Sequence, residues 1–440
     1  MHCTFYDILP KSVSFIVLIQ ICARIRTGHK AKFSFPYLCF MIPFYLPHIT
    51  PEMIQSVTDC LQSGWLNAGP WTKRFEEALR TYTTADAVLT VSSNTAGMEL
   101  ALRWLGVGEG DEVIVPAYSY CASAHVVWNL GAKPVFWDCG PELLPDPALL
   151  PALLTPRTKA VIAVDLGGMP AEYPEMYAIL NAWKDSGKFH PANPVQESLG
   201  RPLLLADAAH SIGAWRNGKP SGTLADISVF SFHSAKNITT GDGGAICLTL
   251  PKSFDTVAVL SWLKMAGIHG KTALANPDTA TGNFGYEVEY PGIKGNLTDF
   301  QAALGLAQLE RYESHILPVR RKIAAQYFEL FQGHEWAGLP HPGNANQITA
   351  WHIFPLILKW IAPEKRNALI EKAKQAGIGF SVHYTPIPAL QFYRRQGYDP
   401  MDYPMSLRLS GAEITLPLYE TLTEAQVEEV VGFVKGSFEF

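Results

Sequence analysis

From about residue 50 onward, short apolar runs alternate with segments patterned at helical spacing, and few architectures accept that alternation. Strands are expected at residues 87–91, 112–115, 134–137, 160–164, 203–206, 227–230 and 245–248. Between them lie helical patterns. One follows Ser92-Ser93-Asn94-Thr95-Ala96-Gly97, where Met98, Leu100, Ala101 and Leu105 recur on one face. Another starts at Thr50-Pro51-Glu52, with a Thr N-cap, a Pro at the first helical position and an early acid. Strands that alternate with helices imply an α/β fold, with a mainly parallel sheet covered on both faces. After this region a helix is expected over 298–312, and a smaller α/β unit with strand-like segments near 352–358 and 379–383.

A chain of 440 residues exceeds one ordinary core, so two domains are expected: a large one over 41–312 and a small C-terminal one over 313–440. The first 40 residues differ from the rest. They hold Cys3, Cys22 and Cys39 of the seven cysteines and almost no acids. The apolar run at 13–22 falls short of the roughly 20 residues a membrane helix needs, and Met41 opens a well-patterned segment. Residues 1–40 therefore read as a non-native or disordered extension. The net charge of −5 gives no basic footprint for nucleic acid. No C-x-x-C or H-E-x-x-H spacing points to a metal. Reduced thiols, a cytoplasmic location and no membrane association are the expectations.

Two polar residues stand where apolar strands end. Asp207 closes Leu203-Leu204-Leu205-Ala206, and Lys236 lies in Ser231-Phe232-His233-Ser234-Ala235-Lys236-Asn237 after the run 227–230. A buried carboxylate or ammonium is costly unless paired, neutralised or covalently bonded. A strand-end acid together with a strand-end lysine suits pyridoxal 5′-phosphate, which needs an amine for its aldehyde and a partner for its pyridinium nitrogen. Ser93 and Thr95 sit where a strand enters a helix; they read either as an N-cap cluster or as an anion site. Of Tyr118 and Tyr120, one can stack on a ring at the sheet edge while the other packs. His210 either orients Asp207 or caps the following turn. Glycines 241, 243 and 244 allow a tight turn into the strand at 245–248.

Read in order, these segments resemble the DegT-type sugar aminotransferases. The resemblance rests on Gly64-Trp65, Gly69-Pro70, Ser92-Ser93-Asn94-Thr95-Ala96, Gly110-Asp111-Glu112, Asp207-Ala208-Ala209-His210, Lys236-Asn237 and Asn296-Leu297-Thr298-Asp299. It implies the fold of type I pyridoxal phosphate-dependent transferases, with a seven-stranded sheet. By position, Lys236 is similar to the Schiff-base lysine and Asp207 to the ring-nitrogen partner. Tyr120 corresponds to the stacking aromatic, and Thr95, Ala96 and Ser231 to phosphate contacts. His210 matches a position beside the ring, and His383 the family's C-terminal histidine. Asn296 matches an asparagine that reaches the neighbouring subunit's cofactor, which implies a homodimer with shared sites. The implied reaction moves an amino group from L-glutamate to a keto group of a nucleotide-linked sugar. Sugar dehydratases of the same fold carry histidine in place of Lys236, and a non-catalytic sensor would need neither Lys236 nor Asp207. Two departures bear on the sugar site: Asp165 stands where many members carry histidine, and residues 184–201 form an insertion before the Asp207 strand.

Overall fold

A computed structural model describes residues 42–271 and 287–437; the expectation for residues 1–40 lies outside them. The seven expected strands form within a residue or two of their anticipated limits. They are β1 (Ala87–Val91), β2 (Glu112–Pro116), β3 (Lys133–Trp137), β4 (Thr158–Val164), β5 (Leu203–Asp207), β6 (Ile227–Ser231) and β7 (Gly244–Leu248). They pair in one sheet in the order β1-β7-β6-β5-β4-β2-β3. Only β7 runs against the others, pairing antiparallel with β1 and β6 on either side.

Alternate side chains of these strands feed two cores, as the two-residue repeat of a strand requires. Ile114, Val161, Leu204 and Phe230 pack on one face. Val115, Ile162, Leu205 and Val229 pack on the other. The first helices are α1 (Pro51–Ser63), α2 (Pro70–Thr83), α3 (Asn94–Leu105) and α4 (Ala122–Asn129). After β4 come α5 (Tyr173–Asp185) and α6 (Pro194–Leu199), and after β7 come α7 (Thr256–Ala266) and α8 (Asp299–Leu309).

The start of α2 has no capping side chain of its own. Fully buried Asp299 supplies one from α8, accepting from the Gly69 N–H at 2.8 Å and the Thr72 N–H at 3.2 Å. Only glycine fits this approach, because a Cβ on Gly69 would lie 2.6 Å from the Asp299 carboxylate. The helix expected over 298–312 ends at Leu309; a π turn, Tyr312–Ile316, then leads into α9 (Leu317–Phe331), which carries Pro318 in its first turn.

Three short antiparallel strands follow: β8 (Ala337–Gly338), β9 (Phe354–Leu358) and β10 (Glu413–Leu416), in the order β8-β9-β10. They pack on α9 and on α12 (Glu424–Gly436) through Tyr327, Phe354, Ile414 and Val430, while α10 (Pro363–Gln375) and α11 (Pro404–Ala412) complete the region. The strand expected at 379–383 reduces to one bridge, Ser381 with Thr415. Pairing stops there because the next N–H, that of His383, donates to the Glu413 carboxylate at 2.9 Å instead of a backbone carbonyl. A small ribbon of Trp215–Arg216, Lys219–Pro220 and Gln347–Ile348 was not foreseen. Among the described residues no helix is long and apolar enough to cross a membrane.

Candidate active site

The parallel strands β5 and β6 end at the same edge of the sheet, and the chain between β1 and α3 turns there too. Such an edge, beyond the carboxyl ends of the strands, is where open α/β sheets bind ligands. A cavity of about 460 Å³ opens at this edge. Its wall includes Thr95, Tyr120, Asp207, His210, Ser231, Lys236 and His383.

Asp207 is the last residue of β5 and is buried. Its Oδ1 accepts from Asn94 Nδ2 at 3.1 Å and from the Ala209 N–H at 3.3 Å; its Oδ2 accepts from Ser123 Oγ at 2.8 Å. Burial pushes its pKa above the ordinary carboxylate value, opposed by the Ser123 hydroxyl and the Lys236 charge. Asn94 Nδ2 also donates to the Val229 carbonyl at 2.7 Å, so the amide nitrogen bridges Asp207 and β6.

Lys236 lies in the segment that joins β6 to β7. Its neighbour Asn237 anchors that segment: Asn237 Nδ2 donates to Tyr312 Oη at 3.1 Å and to the Ala350 carbonyl at 2.9 Å. Burial draws the Lys236 ammonium down to a pKa of about 8, with Asp207 opposing. A lysine so placed is deprotonated far more often near neutrality than one in water, as a nucleophile or base must be.

The N-terminus of α3 also meets the cavity. Ser93 is the N-cap, and its Oγ accepts the Ala96 N–H at 3.1 Å. The capping and anion readings of this cluster therefore coexist: Ser93 caps the helix, and Ser93, Thr95 and Ser231 all stand on the cavity wall. Ala96 does not line the cavity, and its N–H is already bonded within the helix. The strand β7 approaches this turn closely, since a Cβ on Gly244 would lie 2.7 Å from the Asn94 nitrogen.

Tyr118 is buried and Tyr120 is 60% exposed, so Tyr118 is the packing residue and Tyr120 stands at the rim. The Tyr120 ring centre lies 6.1 Å from that of Tyr384. His210 neither bonds Asp207 nor caps the turn that follows it. Its Nδ1 accepts the Gly167 N–H at 3.2 Å, and its Nε2 meets Tyr384 Oη at 3.2 Å. Burial, reinforced by the Lys236 charge, holds His210 neutral, well below the usual histidine range. His383 Nδ1 lies 2.8 Å from Thr415 Oγ1. Asn296 lies off this cavity; its Nδ2 donates to Asn67 Oδ1 at 2.6 Å and to the Leu297 carbonyl at 3.0 Å.

Sequence reasoning did not single out Asn94 and Ser123 as donors to Asp207, although Asn94 lies inside the Ser92–Ala96 motif. His352 and Tyr384, which also line the cavity, come from distant segments with no local signal. Asp165 lies away from the cavity wall. It is buried, accepts from the Ala171 N–H, Tyr173 Oη and Ser211 Oγ at 2.9, 2.7 and 2.6 Å, and ties two loops together. The 184–201 insertion is also remote from the site. Asn193 and Gln196 of this segment donate to the Leu105 carbonyl at 2.9 and 3.1 Å, capping the C-terminal end of α3. The site uses the other end of that 12-residue helix, about 18 Å away. No metal was expected, and one possible ligand group meets among the described residues. His48 Nδ1 and His315 Nε2 lie 2.9 and 3.0 Å from Glu420 Oε1. The Arg311 guanidinium, 2.9 Å from the same oxygen, already supplies the positive charge there.

The model of the DegT/DnrJ/EryC1/StrS aminotransferase family matches residues 47–186 and 197–435. The chain belongs to this family of pyridoxal phosphate-dependent aminotransferases. The break in the match, 187–196, falls within the remote insertion. The chain is 35% identical over 400 residues to the spore coat polysaccharide biosynthesis protein SpsC of Bacillus subtilis, covering 90% of this chain and 96% of SpsC. The putative sugar aminotransferase Spr1654 from Streptococcus pneumoniae, in its PMP form, superposes with a TM-score of 0.86 at 35% identity. That match covers 90% of this chain and 98% of Spr1654, which is also known in PLP and apo forms. PseC of Helicobacter pylori, an aminotransferase involved in pseudoaminic acid biosynthesis, matches with a TM-score of 0.79 at 26% identity, over 91% of this chain and 99% of PseC.

Proposed function

We propose that this protein transfers an amino group from L-glutamate to a keto group of a nucleotide-linked sugar, for aminosugar or surface-glycan synthesis in the cytoplasm. The observation that carries the reading is that Lys236 and Asp207 share one cavity with a hydroxyl-lined helix start. The donor set fits pyridoxal phosphate: an amine of lowered pKa, a fixed carboxylate, and Thr95 and Ser231 at the positive end of α3. Bound there, the cofactor supplies an electron sink for the bonds at the amino-bearing carbon.

The protein's own residues divide the remaining work. Asp207, held by Asn94, Ser123 and the Ala209 N–H, keeps a negative charge where a ring nitrogen needs one. Lys236 Nζ takes a proton from the donor's α-carbon and later returns one to the sugar carbon. Tyr120 covers the cavity mouth and His383 reaches the substrate. The presence of lysine at 236 favours amination over dehydration. A lysine whose pKa is drawn to about 8 is more than a binding-only sensor requires. The relatives support the sugar class, since SpsC is named for polysaccharide biosynthesis and Spr1654 as a putative sugar aminotransferase.

We further read the working unit as a homodimer in which Asn296 serves the partner's cofactor. Its position off its own cavity supports this. The test of the main reading is borohydride reduction of the pyridoxal phosphate-loaded protein, followed by peptide mapping. The label is expected on Lys236. An unlabelled Lys236 in a loaded sample sinks the proposal. Glutamate should then convert the bound cofactor to its pyridoxamine form, seen by absorbance.

A further inference from the structure

Glu413 and Thr415 lie two residues apart on β10, so their side chains share one face of the strand. That face meets His383. Thr415 Oγ1 lies 2.8 Å from His383 Nδ1 and 2.5 Å from Glu413 Oε1, while the His383 N–H occupies Glu413 Oε2 at 2.9 Å. The backbone of Thr415 is paired in both directions with Ser381, at 3.2 and 2.8 Å, and the Phe44 ring stacks on His383 at 5.4 Å. Ring, hydroxyl and carboxyl are thus held in line.

A hydroxyl has one proton to give. When Glu413 is ionised, Thr415 donates to its Oε1, and His383 must then carry its proton on Nδ1 to donate to Thr415. The other ring nitrogen, Nε2, is left as an acceptor. When Glu413 is protonated on Oε1 the chain reverses: Glu413 donates to Thr415, Thr415 donates to Nδ1, and the histidine proton sits on Nε2. We propose that Glu413, acting through Thr415, sets which ring nitrogen of His383 carries the proton. It thereby decides whether the cavity offers substrate a hydrogen-bond donor or an acceptor there.

The surroundings favour the protonated arrangement at neutral pH. Burial raises Glu413 to a pKa of about 8, against the Thr415 and His383 hydrogen bonds and the Arg366 charge. Arg366 Nη1 donates to the Glu413 backbone carbonyl at 2.5 Å. From the loop after β2, the buried Tyr118 hydroxyl lies within the electrostatic reach of Glu413. Burial, with Lys236, holds His383 near a pKa of 3, so the ring changes tautomer and not charge. Near neutrality His383 Nε2–H therefore faces a substrate oxygen that accepts, such as a sugar keto or hydroxyl oxygen. Only that last assignment rests on the proposed sugar reaction.

The test reads the imidazole directly. Pyridoxal phosphate-loaded protein with ¹⁵N-labelled histidine is followed by NMR from pH 6.5 to 9.5, with His383 assigned through His383→Asn. The His383 proton is expected on Nε2 at pH 6.5 and to move to Nδ1 as the pH passes about 8. Glu413→Gln, whose amide donates to Thr415 at every pH, should hold it on Nε2 throughout. Thr415→Val should abolish the coupled change with Glu413 intact. One tautomer across the whole range in the wild type, or an unaltered pH response in either variant, overturns the proposal. In turnover, KM for the sugar should rise about fivefold above pH 8 in the wild type and stay flat in Glu413→Gln, the effect of one neutral hydrogen bond. A ring proton that moves as described while no sugar is aminated would refute the sugar reading and leave the relay standing.

Discussion

Asp207 has two oxygens and three donors aimed at them, and that arithmetic decides what single substitutions should do. Ser123→Ala removes the only hydrogen-bond partner of Oδ2 among the described residues. It should lower kcat about tenfold and weaken cofactor retention, as loss of a hydrogen bond to a charged group costs about 1.5–3 kcal/mol. Lys236→Ala should keep the circular dichroism and melting behaviour of the wild type. Turnover should fall by about 10²–10⁴-fold or more, the range of a general base; global unfolding of this variant would count against a purely chemical role. Glu413 gives a stability signature. Its folded pKa, near 8, lies above the ordinary 4.5. The folded state therefore binds more protons than the unfolded one between those values, and stability falls as pH rises through that window. His210, His352 and His383 have depressed pKa values and act oppositely below about 6.5. Melting temperatures of the apoprotein from pH 6.5 to 8 should accordingly decline more steeply in the wild type than in Glu413→Gln.

At the scale of elements, the insertion and the helix caps make separable predictions. Replacing residues 187–196 by a short turn should lower the melting temperature, because α3 would lose its C-terminal partners Asn193 and Gln196. Steady-state KM values should not move; a change of several-fold would show that this segment reaches the sugar site after all. The seven strands of the large sheet were legible because each is a short apolar run whose ends coincide with turn residues. The segment at 379–383 looked equally strand-like, yet its pairing is ended by the Glu413 side chain 30 residues away. The end of α8 differs from the sequence pattern for a similar reason: nothing local marks the π turn at Tyr312, whose buried hydroxyl donates to the Ile212 carbonyl at 2.7 Å.

For the whole molecule the decisive measurement is complementation. If Asn296 serves the partner's site, Lys236→Ala and Asn296→Ala chains should regain activity when unfolded together and refolded. Random pairing makes half the dimers mixed, each with one intact site, for about a quarter of the wild-type rate. Recovery no greater than the sum of the separate variants would argue for self-contained sites. Asp207, Thr95 and Ser231 could be picked out in advance because each ends an apolar strand or opens a helix, and Lys236 because it follows such a strand by a few residues; strand ends in a parallel sheet share one edge. Local pattern thus determined the sheet and the gathering of these residues at its edge. Only the tertiary structure decided the rest. It showed that Asn94 and Ser123 hold Asp207, that Asp165 and the insertion stand apart from the cavity, and that Glu413 and Thr415 meet His383. Those contacts join segments far apart in the chain, and neither apolar periodicity nor residue spacing carries information across such separations.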